Sequence, residues 1–134
     1  MKCIYCEGNT SVTNSRHQKR SNAVWRRRQC TNCGSVFTTH ELADFSGSWR
    51  FIDKDGAMEP FIREKLLLGL YDSLKHRPTA LEDATELTNT AISVLSPILT
   101  DGFIAREQII ETCGTILNNF DTTAAVHYRA FHRV

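Results

Sequence analysis

Cys3 and Cys6 form one C-x-x-C pair, Cys30 and Cys33 form a second, and twenty-three residues separate them. No other feature of this 134-residue chain restricts its fold as strongly. Each tight turn can aim two sulfurs at one ion while the chain between them returns as a hairpin, the arrangement that tetrahedral thiolate zinc requires. The gap is longer than the usual spacing of about 15 to 20 residues, so a long hairpin is expected. Gly8 and Gly34 follow the pairs closely, where a metal knuckle needs a positive φ or a close approach of backbone to sulfur. Two disulfides, or a redox-active C-x-x-C, are the competing readings. A cytoplasmic setting disfavours the first, and the lack of a βαβ pattern near either pair disfavours the second. Four thiolates leave no open coordination position, so one zinc ion per chain is expected to hold the fold and to catalyse nothing. His17 and His40 are spare ligand candidates that read better as surface residues.

Between the two pairs the chain reads as strands. "TSVTNSR" and "AVWRRRQC" carry β-branched and aromatic residues, and the polar loop "HQKRSN" joins them. Side chains alternate along a strand, which predicts Arg26 and Arg28 on one face and Trp25 with Arg27 on the other. The net charge of +1 conceals a segregation: residues 1–40 hold seven Lys/Arg against the single acid Glu7, and the remainder holds nine against fourteen. A basic end on an otherwise acidic chain points to nucleic acid, whereas a basic run by itself is most simply a solvated face.

"HELADFSGS", His40 to Ser48, breaks the strand pattern, and a domain boundary is placed there: residues 1–46 as a zinc ribbon and 47–134 as a second domain. The second domain opens with "WRFIDKDGAMEPF", an alternating run into a hairpin turn at Lys54-Asp55-Gly56, with Pro60 ending the returning strand or lying on its edge. Leu66, Leu67, Leu70, Tyr71 and Leu74 then line one side of a helix. A second helix is expected behind a Thr79/Glu82 capping box, with Leu81, Ala84, Leu87, Ala91 and Leu95 buried and Pro97 ending it. A third carries Ile109, Cys113, Ile116 and Phe120 on its buried side, with Cys113 as a core thiol. A fourth starts with Asp121 as N-cap and buries Ala125, Tyr128 and Phe131. The fold class is therefore α+β, a small β ribbon followed by a mostly helical domain with a leading hairpin.

The length excludes a catalytic barrel or a full dinucleotide fold. No run approaches the roughly 18 apolar residues of a membrane span, and "MKCIYC" lacks the apolar core of a signal peptide, so a soluble cytoplasmic protein with no membrane partner is expected. There is no Walker loop, no histidine-rich open metal site and no nucleophile with a base, so the chain does not read as an enzyme.

The ordered series "C-x-x-C … NSR … VWRRRQC-x-x-CG-x-x-FTT", then "KDG-x-x-EPF-x-x-x-KL", then "LKHRP", resembles the NrdR family of bacterial repressors of ribonucleotide reductase genes. The resemblance is closest from Ser15 to Thr39 and from Lys54 to Pro78. It implies a DNA-binding zinc ribbon fused to an ATP-cone, a regulatory domain for adenine nucleotides. Bound ATP or deoxy-ATP, with Mg(2+) as a companion, would set the homo-oligomeric state and decide whether paired ribbons meet operator DNA. Carried over, Cys3, Cys6, Cys30 and Cys33 are the zinc ligands, and Ser15, Arg16, Arg26, Arg27 and Arg28 belong to the double-stranded DNA contact. Lys54, Gly56, Glu59 and Lys65 fall in the nucleotide motifs, in a hairpin that also carries Phe51 and Asp53.

The hairpin departs from the family's approximate V-x-K-R-D-G: Phe51 stands for the valine, Asp53 for a phosphate-facing lysine, and Lys54 for the arginine. His127 also stands where arginine is usual. A carboxylate beside a triphosphate is repulsive, so Asp53 must point away or share a magnesium ion if nucleotide binds here. The rival function is a zinc-ribbon module for RNA or protein whose ATP-cone has lost nucleotide sensing.

Overall fold

A computed structural model describes residues 1–132 and divides after Ala43 into two compact units. The first is an antiparallel meander of β1 (Thr10–Gln18), β2 (Ala23–Cys30) and β3 (Val36–Glu41), in that spatial order. The two anticipated strands are present. β3 extends through His40 and Glu41, which the sequence assigned to the linker, because both pair with β2, at Trp25 and Val24. A bulge at Val12–Asn14 shifts the register of β1 against β2. The only apolar cluster of this unit is Cys3, Cys30 and Phe37. So small a core cannot offset the conformational entropy of ordering the ribbon, which leaves the cysteines as its organising centre.

The second unit begins with a three-stranded sheet. β4 (Arg50–Ile52) lies between β5 (Met58–Pro60), antiparallel to it, and β6 (Phe103–Ala105), parallel to it. The β4–β5 turn closes with Gly56 N–H on the Asp53 carbonyl at 2.9 Å, and Gly56 takes φ +83°, the left-handed residue that a type I turn with a bulge demands. Helices α1 (Arg63–Leu74), α2 (Ala80–Leu95), α3 (Arg106–Phe120) and α4 (Thr122–Phe131) complete the unit. Leu70, Leu74, Leu95, Leu117 and Cys113 form the fully buried centre of its core.

The helices occur where the periodicity puts them, but two buried faces are rotated. On α2, Leu81 is 58% exposed, and the buried line is Ala80, Ala84, Thr88, Ala91 and Leu95. Thr88 can occupy a core position because its hydroxyl donates to the Ala84 carbonyl at 2.7 Å. The Thr79/Glu82 capping box does not form. Thr79 lacks the extended backbone of an N-cap, and its hydroxyl donates instead to Asp83 at 2.7 Å. On α3 the buried residues are Ile110, Cys113, Gly114 and Leu117, with Ile109 and Ile116 at the flank and Phe120 exposed. Gly114 lies on this buried side, where a Cβ would lie 2.9 Å from the Arg129 Nε. Phe131 is likewise outside the core, at 75% exposure, although Ala125 and Tyr128 are buried as expected.

The "LKHRP" motif has a structural role in this fold. Arg77 donates to Asp83 at 2.9 Å and to Asp121 at 3.1 Å, stacks over the Phe120 ring, and so ties the α1–α2 connection to the start of α4. Asp121 caps α4 through Ala124 N–H and also accepts from His76 at 2.8 Å. The His76 contact, followed by the Ala124 N–H, holds the Asp121 carboxyl down at about 2. The folded-state value is thus below the roughly 3.9 of an unfolded aspartate, so the stabilisation is present above about pH 4 and is lost as pH falls toward about 2. Asp121→Asn should lower the melting temperature of the helical unit at pH 7, by about 5 °C for a unit of this size. Followed by helical circular dichroism, the gap from wild type should close near pH 2. A gap of constant size across that window would contradict the role of the carboxylate.

Candidate metal centre and candidate ligand sites

The four sequence-predicted ligands converge. The Sγ atoms of Cys3, Cys6, Cys30 and Cys33 all lie within 4.8 Å of one another, with Cys3–Cys33 at 3.8 Å and Cys6–Cys30 at 3.5 Å. Tetrahedral zinc with bonds of about 2.3 Å needs its sulfurs about 3.8 Å apart, so the cluster has the size of a four-thiolate site. The two knuckles are copies of one motif. Cys3 N–H donates to the Gly8 carbonyl and Glu7 N–H to the Cys3 carbonyl; Cys30 N–H donates to Ser35 and Gly34 N–H to Cys30 in the same way. In each, the residue after the second cysteine adopts a positive φ, 61° at Glu7 and 76° at Gly34. Backbone N–H groups point at sulfur, from Tyr5 to Cys3 at 3.4 Å and from Asn32 to Cys30 at 3.3 Å. The Ser35 hydroxyl, with lesser help from backbone N–H groups, draws the Cys3 thiol down to about 6, and the Asn32 side chain lowers Cys6. The thiolate, which is the form that binds metal, is thereby favoured at Cys3 and Cys6, whereas at Cys30 the lowering by the Cys33 N–H is outweighed by burial and the neighbouring Cys6 and Cys33 sulfurs, which shift the thiol upward.

Gly8 serves the second purpose expected of the knuckle glycines. A Cβ at Gly8 would sit 2.8 Å from the Asn32 Cβ and 3.2 Å from both the Cys30 and Cys6 sulfurs. Gly8→Ala must therefore displace Asn32 or spread the sulfurs, and zinc affinity should fall about tenfold or more, as for other changes to groups that orient ligands. Gly34→Ala meets open space and incurs only the backbone cost, about 1 kcal/mol. Competition with a chromophoric chelator measures both; equal zinc affinities would count against the close-approach argument.

The ribbon's charges segregate by face. Arg26 and Arg28 alternate onto the side that carries Cys30, beside Ser15, Thr39 and Phe37 by register. Both are engaged: Arg26 donates to Glu41 at 3.0 Å and to Ser15 at 3.3 Å, and Arg28 donates to Thr10 at 3.3 Å with its Nε buried. The opposite side carries Trp25 and Arg27, with Arg16 directly across from Trp25. Arg16 and Arg27 are exposed and have no ion-pair or hydrogen-bond partner for their side chains among the described residues.

In the second unit a pocket of about 320 Å³ opens between the sheet and α1, α3 and α4. Phe51, Phe61, Ile62, Leu66, Ile109 and Ile110 provide its apolar lining, and Lys65, Arg106 and His132 bring positive or ionisable groups to it. Arg106 is bound to the Asp53 carboxylate at 3.2 Å. Tyr128 also lines it; burial pushes the Cys113 thiol up to about 11 and the Tyr128 phenol higher still, so both stay protonated at neutral pH.

Residues 1–41 match the family model described as "Transcriptional repressor NrdR-like, N-terminal domain". This segment is similar to that zinc ribbon. Three relatives named "Transcriptional repressor NrdR", from Staphylococcus carnosus (strain TM300), Staphylococcus epidermidis (strain ATCC 12228) and Staphylococcus aureus (strain Newman), are each 43% identical over 90 residues. The match covers 66% of this chain and 57% of each relative's length.

Within the ribbon, the five basic or hydroxyl residues singled out for DNA divide between two faces, Ser15, Arg26 and Arg28 on one and Arg16 and Arg27 on the other. In the second unit, Phe51 and Lys65 line the pocket, whereas Asp53, Lys54, Gly56 and Glu59 do not. Lys54 and Gly56 occupy the exposed hairpin turn, and Glu59 is exposed on β5 opposite Phe51. Asp53 lies outside this pocket and is paired with Arg106, which supplies its countercharge. Arg106, His132 and Glu41 were not singled out from the sequence. Arg106 and Glu41 are brought to their partners by tertiary and cross-strand contact that local spacing does not encode, whereas His132 stacks on Tyr128 one helical turn before it.

Proposed function

We propose that the chain is a transcriptional repressor that binds operator DNA through its ribbon and senses ATP or deoxy-ATP, with Mg(2+), in the pocket of its second unit. Nucleotide-dependent homo-oligomerisation would set how many ribbons meet the DNA. The printed name of the relatives supports the repressor role, which is regulatory and not enzymatic. The observation that carries the DNA reading is the face on which exposed Arg16 and Arg27 flank half-buried Trp25, on a sheet braced by four cysteines. Two free guanidiniums beside an aromatic surface suit phosphate and base contacts. For the nucleotide, an apolar pocket bordered by Lys65 and Arg106 suits a heterocyclic base with an anionic tail. The pocket is small for a whole triphosphate, so the phosphates would extend into its open mouth.

No helix among the described residues is long and apolar enough to cross a membrane. The 1–46 and 47–134 boundary is proposed as the limit between the DNA-binding and nucleotide-sensing domains. Calorimetry of the protein with ATP and with deoxy-ATP, before and after addition of promoter DNA, tests the proposal. Binding of either nucleotide that alters DNA affinity supports it. DNA binding that is indifferent to both, with no heat of nucleotide binding, favours the rival module without sensing, for which the anionic Asp53 at the pocket's edge speaks.

A further inference from the structure

Arg106 occupies the first position of α3, where the helix presents its unpaired N–H groups and its partial positive charge. A cation is disfavoured there unless an anion accompanies it. Asp53 is that anion, with Oδ2 3.2 Å from Arg106 Nη1 and Oδ1 held by the Lys54 backbone N–H at 3.0 Å. The hairpin turn thus fixes the carboxylate. The guanidinium also lines the pocket that contains Phe51 and Lys65, and its other N–H donors have no partner among the described residues. Both side chains keep solvent contact, at 49% and 35% exposure, so the pair adds little stability and can open readily.

Resting on the nucleotide reading above, we propose that Arg106 is the cation that grips the anionic end of the pocket's ligand, and that Asp53 is its competing counter-ion. The ligand class is a nucleoside polyphosphate. Arg106 presents a planar fork of donors suited to phosphate oxygens, and Lys65 adds a second charge at the same rim. Asp53 opposes binding twice: it occupies part of the fork, and it repels the incoming anion. The carboxylate therefore sets the ligand concentration at which the site fills, without being a ligand contact itself. Where the family resemblance places a cation at position 53, this chain has an anion there and a cation at the start of α3, and that exchange of sign becomes a means of tuning affinity.

Titration calorimetry of the full chain at fixed magnesium, with ATP and with adenosine, tests this with a double-mutant cycle. Arg106→Gln should weaken ATP about tenfold or more, and Asp53→Asn should tighten it several-fold. In Arg106→Gln/Asp53→Asn most of that tightening should vanish, because much of the Asp53 effect acts through the guanidinium. Adenosine, which has no charge, should bind all four proteins alike; a fall in adenosine affinity with Arg106→Gln would show damage to the pocket and overturn an anion-specific role. If wild type binds ATP and Arg106→Gln binds it equally well, the grip by Arg106 is refuted while nucleotide binding stands. If neither wild type nor Asp53→Asn binds ATP or deoxy-ATP, nucleotide binding is refuted and the competition with it.

Discussion

Cys30→Ser is expected to release the metal, unfold residues 1–43 and abolish DNA binding, while the helices of the second unit remain folded. The reason lies in what the ribbon buries. Its apolar cluster consists of Cys3, Cys30 and Phe37, and two of those three belong to the four-cysteine cluster. Ordering a backbone residue costs on the order of 1–2 kcal/mol, and nothing in this unit approaches the apolar burial needed to offset that over some forty residues. Structural zinc contributes about 10–16 kcal/mol in peptides of comparable size, enough to decide between folded and unfolded. Cys30 is also the hub of the second knuckle: its sulfur accepts from the N–H groups of Asn32 and Cys33, and it lies 3.5 Å from Cys6. Metal content should fall from about one zinc per chain to none. Amide resonances from the first unit should collapse to unfolded shifts while helical circular dichroism persists, as the separate core around Leu70, Leu95 and Leu117 predicts. Full metal content with intact DNA binding in this variant would remove the four-cysteine centre from consideration.

The metal centre was legible in the sequence because its determinants are local. A C-x-x-C turn encodes its own geometry within six residues, and both glycines near the sulfurs perform the tasks assigned to them. The one surprise there is Glu7, a non-glycine residue in the left-handed region at the position equivalent to Gly34. Strand alternation on β2 was legible for the same reason. What alternation cannot say is which face is free: Arg26 and Arg28 are together as expected, but Glu41 and Thr10 occupy them, and both partners come from other strands.

The helical unit shows the limit more clearly. Periodicity located all four helices, yet misjudged which side chains face inward by about one position on α2 and α3. Hydrophobicity favoured Leu81 over Thr88, whereas the helix buries the threonine by satisfying its hydroxyl internally. On α3 the inward side is Ile110, Cys113, Gly114 and Leu117, and the glycine among them carries no hydrophobic signal that periodicity could read. Motif comparison placed Phe51 and Lys65 at the pocket but could not supply Arg106, which is fifty-three residues from Asp53 in the chain. A compensating charge at that separation is visible only in three dimensions.

The free face of the ribbon leads to the other large effect. Arg16→Ala and Arg27→Ala should each weaken operator binding about tenfold and reduce the magnitude of the salt slope by roughly one, since each removes one phosphate-neutralising charge. The double variant should lose about two. Arg26→Ala should change the slope less, because Glu41 already offsets that charge at 3.0 Å and the ribbon surrenders no free cation when it is removed. Glu41→Gln supplies the opposite sign. Removing the carboxylate leaves the existing Arg26 cation without its counter-ion and makes the ribbon more positive by that single charge, so nonspecific DNA affinity should rise and the salt slope should steepen. Arg28 has its Nε buried and one Nη on Thr10, so Arg28→Ala is expected to lower the thermal stability of the ribbon more than its salt slope. Fluorescence anisotropy across a series of salt concentrations, on zinc-loaded protein, separates these outcomes. Slopes that fall for Arg26→Ala and Arg28→Ala while Arg16→Ala and Arg27→Ala leave them unchanged would assign DNA to the Cys30 side of the sheet, with Glu41 displaced by phosphate on binding.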